Sequence, residues 1–222
     1  MFTEYSIQAI AINAIPLLFA ITIHEAAHGY AAKRLGDNTA FVLGRVTLNP
    51  LKHIDPIGTI LIPALLILSS APFLVGYAKP VPVRFDRLNN PKMDMVWVAL
   101  AGPGSNFFQA LLWAIFWIAI QSMGIQEPFF LKMAEAGVLW NIGLLVFNLF
   151  PLLPLDGGRI VSGLLPYRQA LAFSKIEPWG FFIVLGLVFT GFISHWWMNP
   201  LNDFFLNVIR LITMPIRLLL GH

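Results

Sequence analysis

Six apolar stretches, at about 7–35, 57–76, 96–121, 138–156, 178–197 and 203–220, occupy most of this chain. Most are long enough to cross a hydrocarbon core of about 30 Å at 1.5 Å per residue. The chain is 58% hydrophobic and only 11% charged, with a mean hydropathy of +0.75. That is too little charge to cover the surface of a water-soluble domain of 222 residues, so lipid is the expected solvent. Trp, of which there are 7, is common at membrane interfaces.

Other classes fall away quickly. There is no cysteine, which removes disulfides, thiol catalysis and thiolate metal ligands together. The 14 Lys and Arg never run beyond two in succession, so the basic balance reads as membrane topology and no nucleic-acid partner is expected. The start, MFTEYSIQAI, lacks a basic region of the signal-peptide type. With no repeat, low-complexity tract or long polar linker, residues 1–222 read as a single integral membrane domain.

Charge then chooses a topology. If all six stretches cross, the four basic residues in 33–55 and the four in 77–95 fall on opposite sides. If 57–76 instead dips in and returns, thirteen of the fourteen lie on the cytoplasmic side and only Lys132 lies outside. Pro63 and the run Ser69-Ser70-Ala71-Pro72 equip that stretch to turn back. The expected fold is therefore an all-α polytopic membrane protein with about five crossing helices and a re-entrant segment at 57–76. The β-branched run between the first two stretches, broken by Gly and Pro, predicts a small membrane-associated β-hairpin at 38–55.

The chemistry sits in the first stretch, as HEAAH. On a helix His24 and His28 share one face, one turn apart, so two imidazoles can hold one zinc with Glu25 beside it as a general base. Two histidines and a carboxylate inside an otherwise apolar helix are costly to place in lipid and mark a functional site. A catalytic zinc takes a third protein ligand. Asp156 is the first candidate, the only acid at the end of the 138–156 stretch; the plainer reading is a helix-ending Asp-Gly-Gly turn. Under the five-crossing topology, segments 7–35 and 138–156 run the same way, which brings Asp156 to the depth of HEAAH. His53 follows, as an alternative ligand, a transition-state donor or an ordinary loop histidine.

Taken together and in this order, HEAAH, AGPGSN (101–106) and NLFPLLPLDGGR (148–159) resemble the site-2 protease family of intramembrane zinc metalloproteases, over about residues 10–160. GRVTLNPLKHIDPIGT and GYAKPVPV are similar to runs in its compact bacterial members, which lack PDZ and CBS domains. The resemblance implies one catalytic Zn2+ held by His24, His28 and Asp156, with Glu25 as general base and Asn148 positioning substrate or stabilising the oxyanion. It also places Pro103 and Asn106 on the helix between the two zinc-binding helices, and gives the 38–55 element a role in pairing with an unwound substrate. The catalytic core would span about 7–160, with accessory helices at about 178–220. The implied partner is a transmembrane protein or signal-peptide substrate in a bacterial plasma (inner) membrane, and the charge topology above sets the site near the cytoplasmic side.

Three other readings compete. One is a metalloprotease ligated by a later glutamate, but Glu127, Glu135 and Glu177 sit in loops beside helix ends. Another is an intramembrane zinc or proton transporter, which would have little use for Glu25 between two ligands. The last is a catalytically inactive protein-binding relative.

Overall fold

In the computed structural model, the described residues are 7–61, 65, 68 and 78–220. Among them the chain is helical and forms no strand. Helix α1, Ile7–Arg34, runs 28 residues and ends on Lys33 and Arg34, cations that suit the negative end of a helix. Gly36, at φ +111°, turns the chain out of it. The main-chain N–H of Asp37 then bonds back to Ala32 O at 2.9 Å.

The next two long helices are α3, Pro91–Ser122, and α4, Pro128–Asn148. Both carry proline in the first turn, where no backbone donor is lost. The Asp94 carboxylate accepts the Asn90 N–H at 2.7 Å, closing the start of α3 from within.

Contacts along their lengths set the directions. Val98 meets His28, whereas Asn106 meets Ala20, so α3 runs antiparallel to α1. Trp140 donates to Asn13 at 3.1 Å, and Asp156, beyond α4, reaches His24 and His28; α1 and α4 thus run the same way. Small residues let these helices approach. A Cβ on Gly102 would overlap the His28 ring, and one on Gly137 would overlap Trp113. Buried amides, Asn106, Gln109 and Asn141, lie between the helices, where lipid offers them no alternative partner.

Beyond Asn148 the chain breaks at a loop containing Pro151 and Pro154, and Asp156 opens a separate short helix, α5, Asp156–Leu164. Helices α6, Tyr167–Ser174, and α7, Glu177–Phe189, follow at a 65° bend. A π-helical turn, Ile193–Met198, leads into α8, Asn199–Leu219. Arg159 donates to Glu177 at 3.2 Å. Phe150, Val184 and Ile193 form a buried cluster that holds α7 and this turn against the loop.

Three of the described helices, α1, α3 and α4, are long and apolar enough to cross a membrane, or four spans if α6 and α7 count as one broken span. Large apolar side chains such as Phe19, Phe108, Leu112 and Phe116 point outward from them, as on a surface solvated by lipid. Helix α8 carries Asp203, Arg210 and Arg217 and is not one of the three. Most of the turn expected in 57–76 lies outside the described residues; its start belongs to a π-helical stretch at Pro56–Leu61.

Residues 38–55 do not form the expected β-hairpin. They fold as helix α2, Thr39–Val42, a left-handed turn at Gly44 (φ +64°) and a 3-10 turn at Pro50–Lys52. Local bonds explain the difference. Asp37 accepts from both the main-chain N–H and the hydroxyl of Thr39, and Asn49 accepts from Leu51 N–H at 3.0 Å. These bonds satisfy backbone donors without a partner strand, so the β-branched side chains do not decide the outcome.

Candidate metal centre

His24 and His28 project from one face of α1 onto the strip of α3 that contains Gly102. Their rings meet edge to face, with centroids 4.6 Å apart and the two Nε2 atoms 3.0 Å apart. Asp156 Oδ2 stands 3.3 Å from each Nε2. The aspartate is delivered by a backbone folded tightly on itself, since a Cβ on Gly157 would overlap Leu149 O and one on Gly158 would overlap Leu153 N. No side chain other than glycine fits those two positions.

Hydrogen bonding determines what these three atoms present to one another. His28 Nδ1 lies 2.7 Å from Val98 O; a carbonyl only accepts, so Nδ1 carries the hydrogen and Nε2 a lone pair. His24 Nδ1 lies 2.6 Å from Asn106 Oδ1, and the same reasoning gives its Nε2 a lone pair. Asp156 Oδ2 is buried and accepts no hydrogen bond. Three acceptors converge with no donor among them, and a cation is what satisfies such a set.

The set fits zinc by type and by size. The ligand atoms lie within 4.8 Å of one another. The sides of their triangle, 3.0, 3.3 and 3.3 Å, compare with about 3.3–3.4 Å for donors roughly 2.0–2.1 Å from a tetrahedral ion. Three protein ligands leave the fourth position open, the pattern of a catalytic site.

Glu25 bonds to the segment that precedes α3. Its Oε2 accepts the Val81 N–H at 2.6 Å. Val81 belongs to an extended strap held on several sides. Lys79 N–H donates to His53 O at 2.9 Å, while Arg45 Nη2 donates to Lys79 O at 2.8 Å and to Pro80 O at 3.3 Å.

The sequence candidates therefore separate in space. His24, His28 and Asp156 come together, with Glu25 beside them on α1. His53 is buried in the loop that supports the strap; its Nε2 donates to Thr47 O at 3.0 Å and its Nδ1 is buried without a partner. Asn148 is the last residue of α4, and its amide donates to Leu144 O at 2.9 Å along its own helix. Sequence reasoning missed Gly102, Asn141, Val81 and Arg45. A lone amide in the middle of the apolar α4 was the available signal for Asn141. An apolar groove of about 390 Å3, lined by Phe19, Ile23, Trp113 and Phe116 among others, has none of the three converging residues in its lining.

A His-Glu-x-x-His helix joined by an aspartate, inside a bundle of membrane-length helices, defines the class as a membrane metallohydrolase. The chain is 35% identical to YwhC of Bacillus subtilis, over 97% of this chain and 98% of that protein. It is 30% identical to Rip2 of Mycolicibacterium smegmatis, over 85% of this chain and 70% of that protein. Both carry the name "Putative zinc metalloprotease". The chain belongs to this family of zinc metalloproteases. No family model matches it, and no solved structure matches it.

Proposed function

We propose that this protein is an intramembrane zinc endopeptidase of the site-2 protease type, hydrolysing peptide bonds in or near transmembrane segments of membrane proteins. One observation carries the reading: the convergence of His24 Nε2, His28 Nε2 and Asp156 Oδ2, all acceptors, on the face of a membrane-length helix.

His24, His28 and Asp156 would hold the metal, which when bound would serve as a Lewis acid for the attacking water and the scissile carbonyl. Glu25 takes the proton from the attacking water and returns it to the leaving amine. With Oε2 fixed by Val81 N–H, Oε1 is the oxygen left for that transfer. Asn148 serves the substrate, once its amide is released from Leu144 O. His53 acts through the strap: its carbonyl holds Lys79, two residues before Val81.

The substrate is a transmembrane protein or a signal-peptide remnant, unwound before its backbone can be attacked. The membrane is a bacterial plasma membrane with the centre near the cytoplasmic side. The supports are the cytoplasmic placement of thirteen of the fourteen basic residues in the five-crossing topology and a centre at the Arg34 end of α1.

The test compares wild type with Glu25→Gln for zinc content and for cleavage of a model transmembrane peptide in detergent or bilayer discs. The variant is expected to keep zinc and lose cleavage. Normal cleavage by the variant overturns the role of Glu25, and a wild type without zinc overturns the whole reading.

A further inference from the structure

His24 can offer Nε2 to a metal only if its other nitrogen, Nδ1, carries the hydrogen. Its Nδ1 faces an amide, Asn106 at 2.6 Å, and an amide turned half a revolution would present NH2 instead and drive the hydrogen to the wrong nitrogen. Whatever fixes the orientation of Asn106 therefore fixes the ligand state of His24.

A directed chain of bonds does so, and it begins on α4. Gly137 O can only accept, and Asn141 Nδ2 donates to it at 2.8 Å. Asn141 must then turn Oδ1 toward α3, where it accepts from Asn106 Nδ2 at 3.0 Å. The second hydrogen of that NH2 goes to Ala20 O at 3.2 Å. With both donors engaged, Asn106 has only Oδ1 left for His24. Asn106 and Asn141 are both fully buried, so no water competes for these positions.

We propose that Asn141 is a positioning residue of the metal centre: acting through Asn106, it sets which ring nitrogen of His24 carries the hydrogen and thereby raises the affinity for zinc. The chain Gly137 O, Asn141, Asn106, His24 links α4 and α3 to the ligand helix α1, so the three helices of the core must be correctly docked before the site is complete. Neighbours that hold the distal nitrogen of a ligand histidine contribute about 10–100-fold to metal affinity. Asn141 acts one bond further out and shares Asn106 with Ala20 O, so its share is the smaller one.

The inference rests on the zinc reading of the site, and its test keeps the two apart. Zinc affinity is measured by chelator competition on purified protein for wild type, Asn106→Leu, Asn141→Leu and the double variant. Asn106→Leu is expected to weaken binding about 10–100-fold, Asn141→Leu less, and the double variant no more than Asn106→Leu alone, because Asn141 has no route to the metal except through Asn106. A buried amide that only joins helices would instead add its effect to that of Asn106→Leu. If Asn141→Leu fails to fold, Asn141→Ser, which keeps a hydroxyl able to bond Gly137 O, is read in the same way. A folded Asn141 variant that binds zinc as tightly as wild type, or additive losses in the double variant, overturns the inference. A wild type that holds no zinc overturns the zinc reading on which it rests.

Discussion

Glu25 and Val81 are 56 residues apart in the chain, yet Oε2 of one accepts the main-chain N–H of the other at 2.6 Å. The carboxylate is held by backbone rather than by a side chain. It is thus fixed by the path of the strap between Lys79 and Val83, and Pro80 and Pro82 stiffen that path.

Removing the donor tests that relationship. Val81→Pro deletes the N–H at a residue already restrained by the following proline. A hydrogen bond to a charged group is worth about 1.5–3 kcal/mol, so kcat for peptide cleavage is expected to fall roughly 10–100-fold with zinc content unchanged. Arg45→Ala, which frees the carbonyls of Lys79 and Pro80, should move kcat the same way by a smaller factor. Unchanged kcat in both variants would show that the strap does not position Glu25.

Gly102 is where α3 makes room for His24 and His28. A Cβ built there overlaps His28 Nε2 and comes within 2.6 Å of His24 Cε1, so one methyl group reaches both imidazoles. Gly102→Ala is expected to cut zinc affinity by at least the roughly 10–100-fold seen when ligand positioning is disturbed. Chelator competition checks it. Gly104→Ala, two residues on and with open space around its Cβ, should bind zinc as wild type does.

These residues mark how far the sequence could be read. HEAAH was legible because both histidines lie on one helix, where a spacing of four fixes a shared face. Asp156 needed topology as well, and the observed agreement in direction between α1 and α4 has the required sense. The break after Asn148 was visible in Pro151 and Pro154, although not that Asp156 would open a helix of its own. Residues 38–55 were misread because strand propensity is a weak local preference; Asp37 and Asn49 offered the backbone nearer partners. Arg45 and Val81 could not be found this way. Their roles come from main-chain groups brought together by the fold, and main-chain groups leave no signature in residue type.

The same loop yields a prediction about pH. Burial works to raise the pKa of Asp37, but bonds from the Thr39 hydroxyl, the Arg84 N–H and the Thr39 N–H outweigh it and hold the carboxyl below its usual value. A depressed carboxylate contributes stability that is complete above its unfolded pKa, about 3.9, and is lost as pH falls through the lower folded value. Limited proteolysis within residues 38–49 should therefore accelerate as pH drops below about 4 in wild type. In Asp37→Asn cleavage should already be fast at neutral pH and change little with acid. An equally acid-sensitive variant would place the titrating group elsewhere.

Removing the metal is the most direct probe of the centre. Without a cation, His24 Nε2, His28 Nε2 and Asp156 Oδ2 face one another at 3.0–3.3 Å with no donor among them, and the meeting of α1 with the start of α5 loses its reason to close. A ligand bound only by the folded state stabilises it by about 2.7 kcal/mol at a free concentration of 100 times Kd. Chelator treatment is accordingly expected to lower Tm in detergent, and added Zn2+ to restore it where Mg2+ does not, since two imidazoles and one carboxylate suit a borderline ion better than a hard one. Glu25→Gln should show the same zinc-dependent shift as wild type, because it keeps all three ligands. Asp156→Asn should show little, having replaced the one charged ligand by a neutral amide. A Tm indifferent to chelator and zinc in wild type would mean that these three side chains close on one another for some other reason.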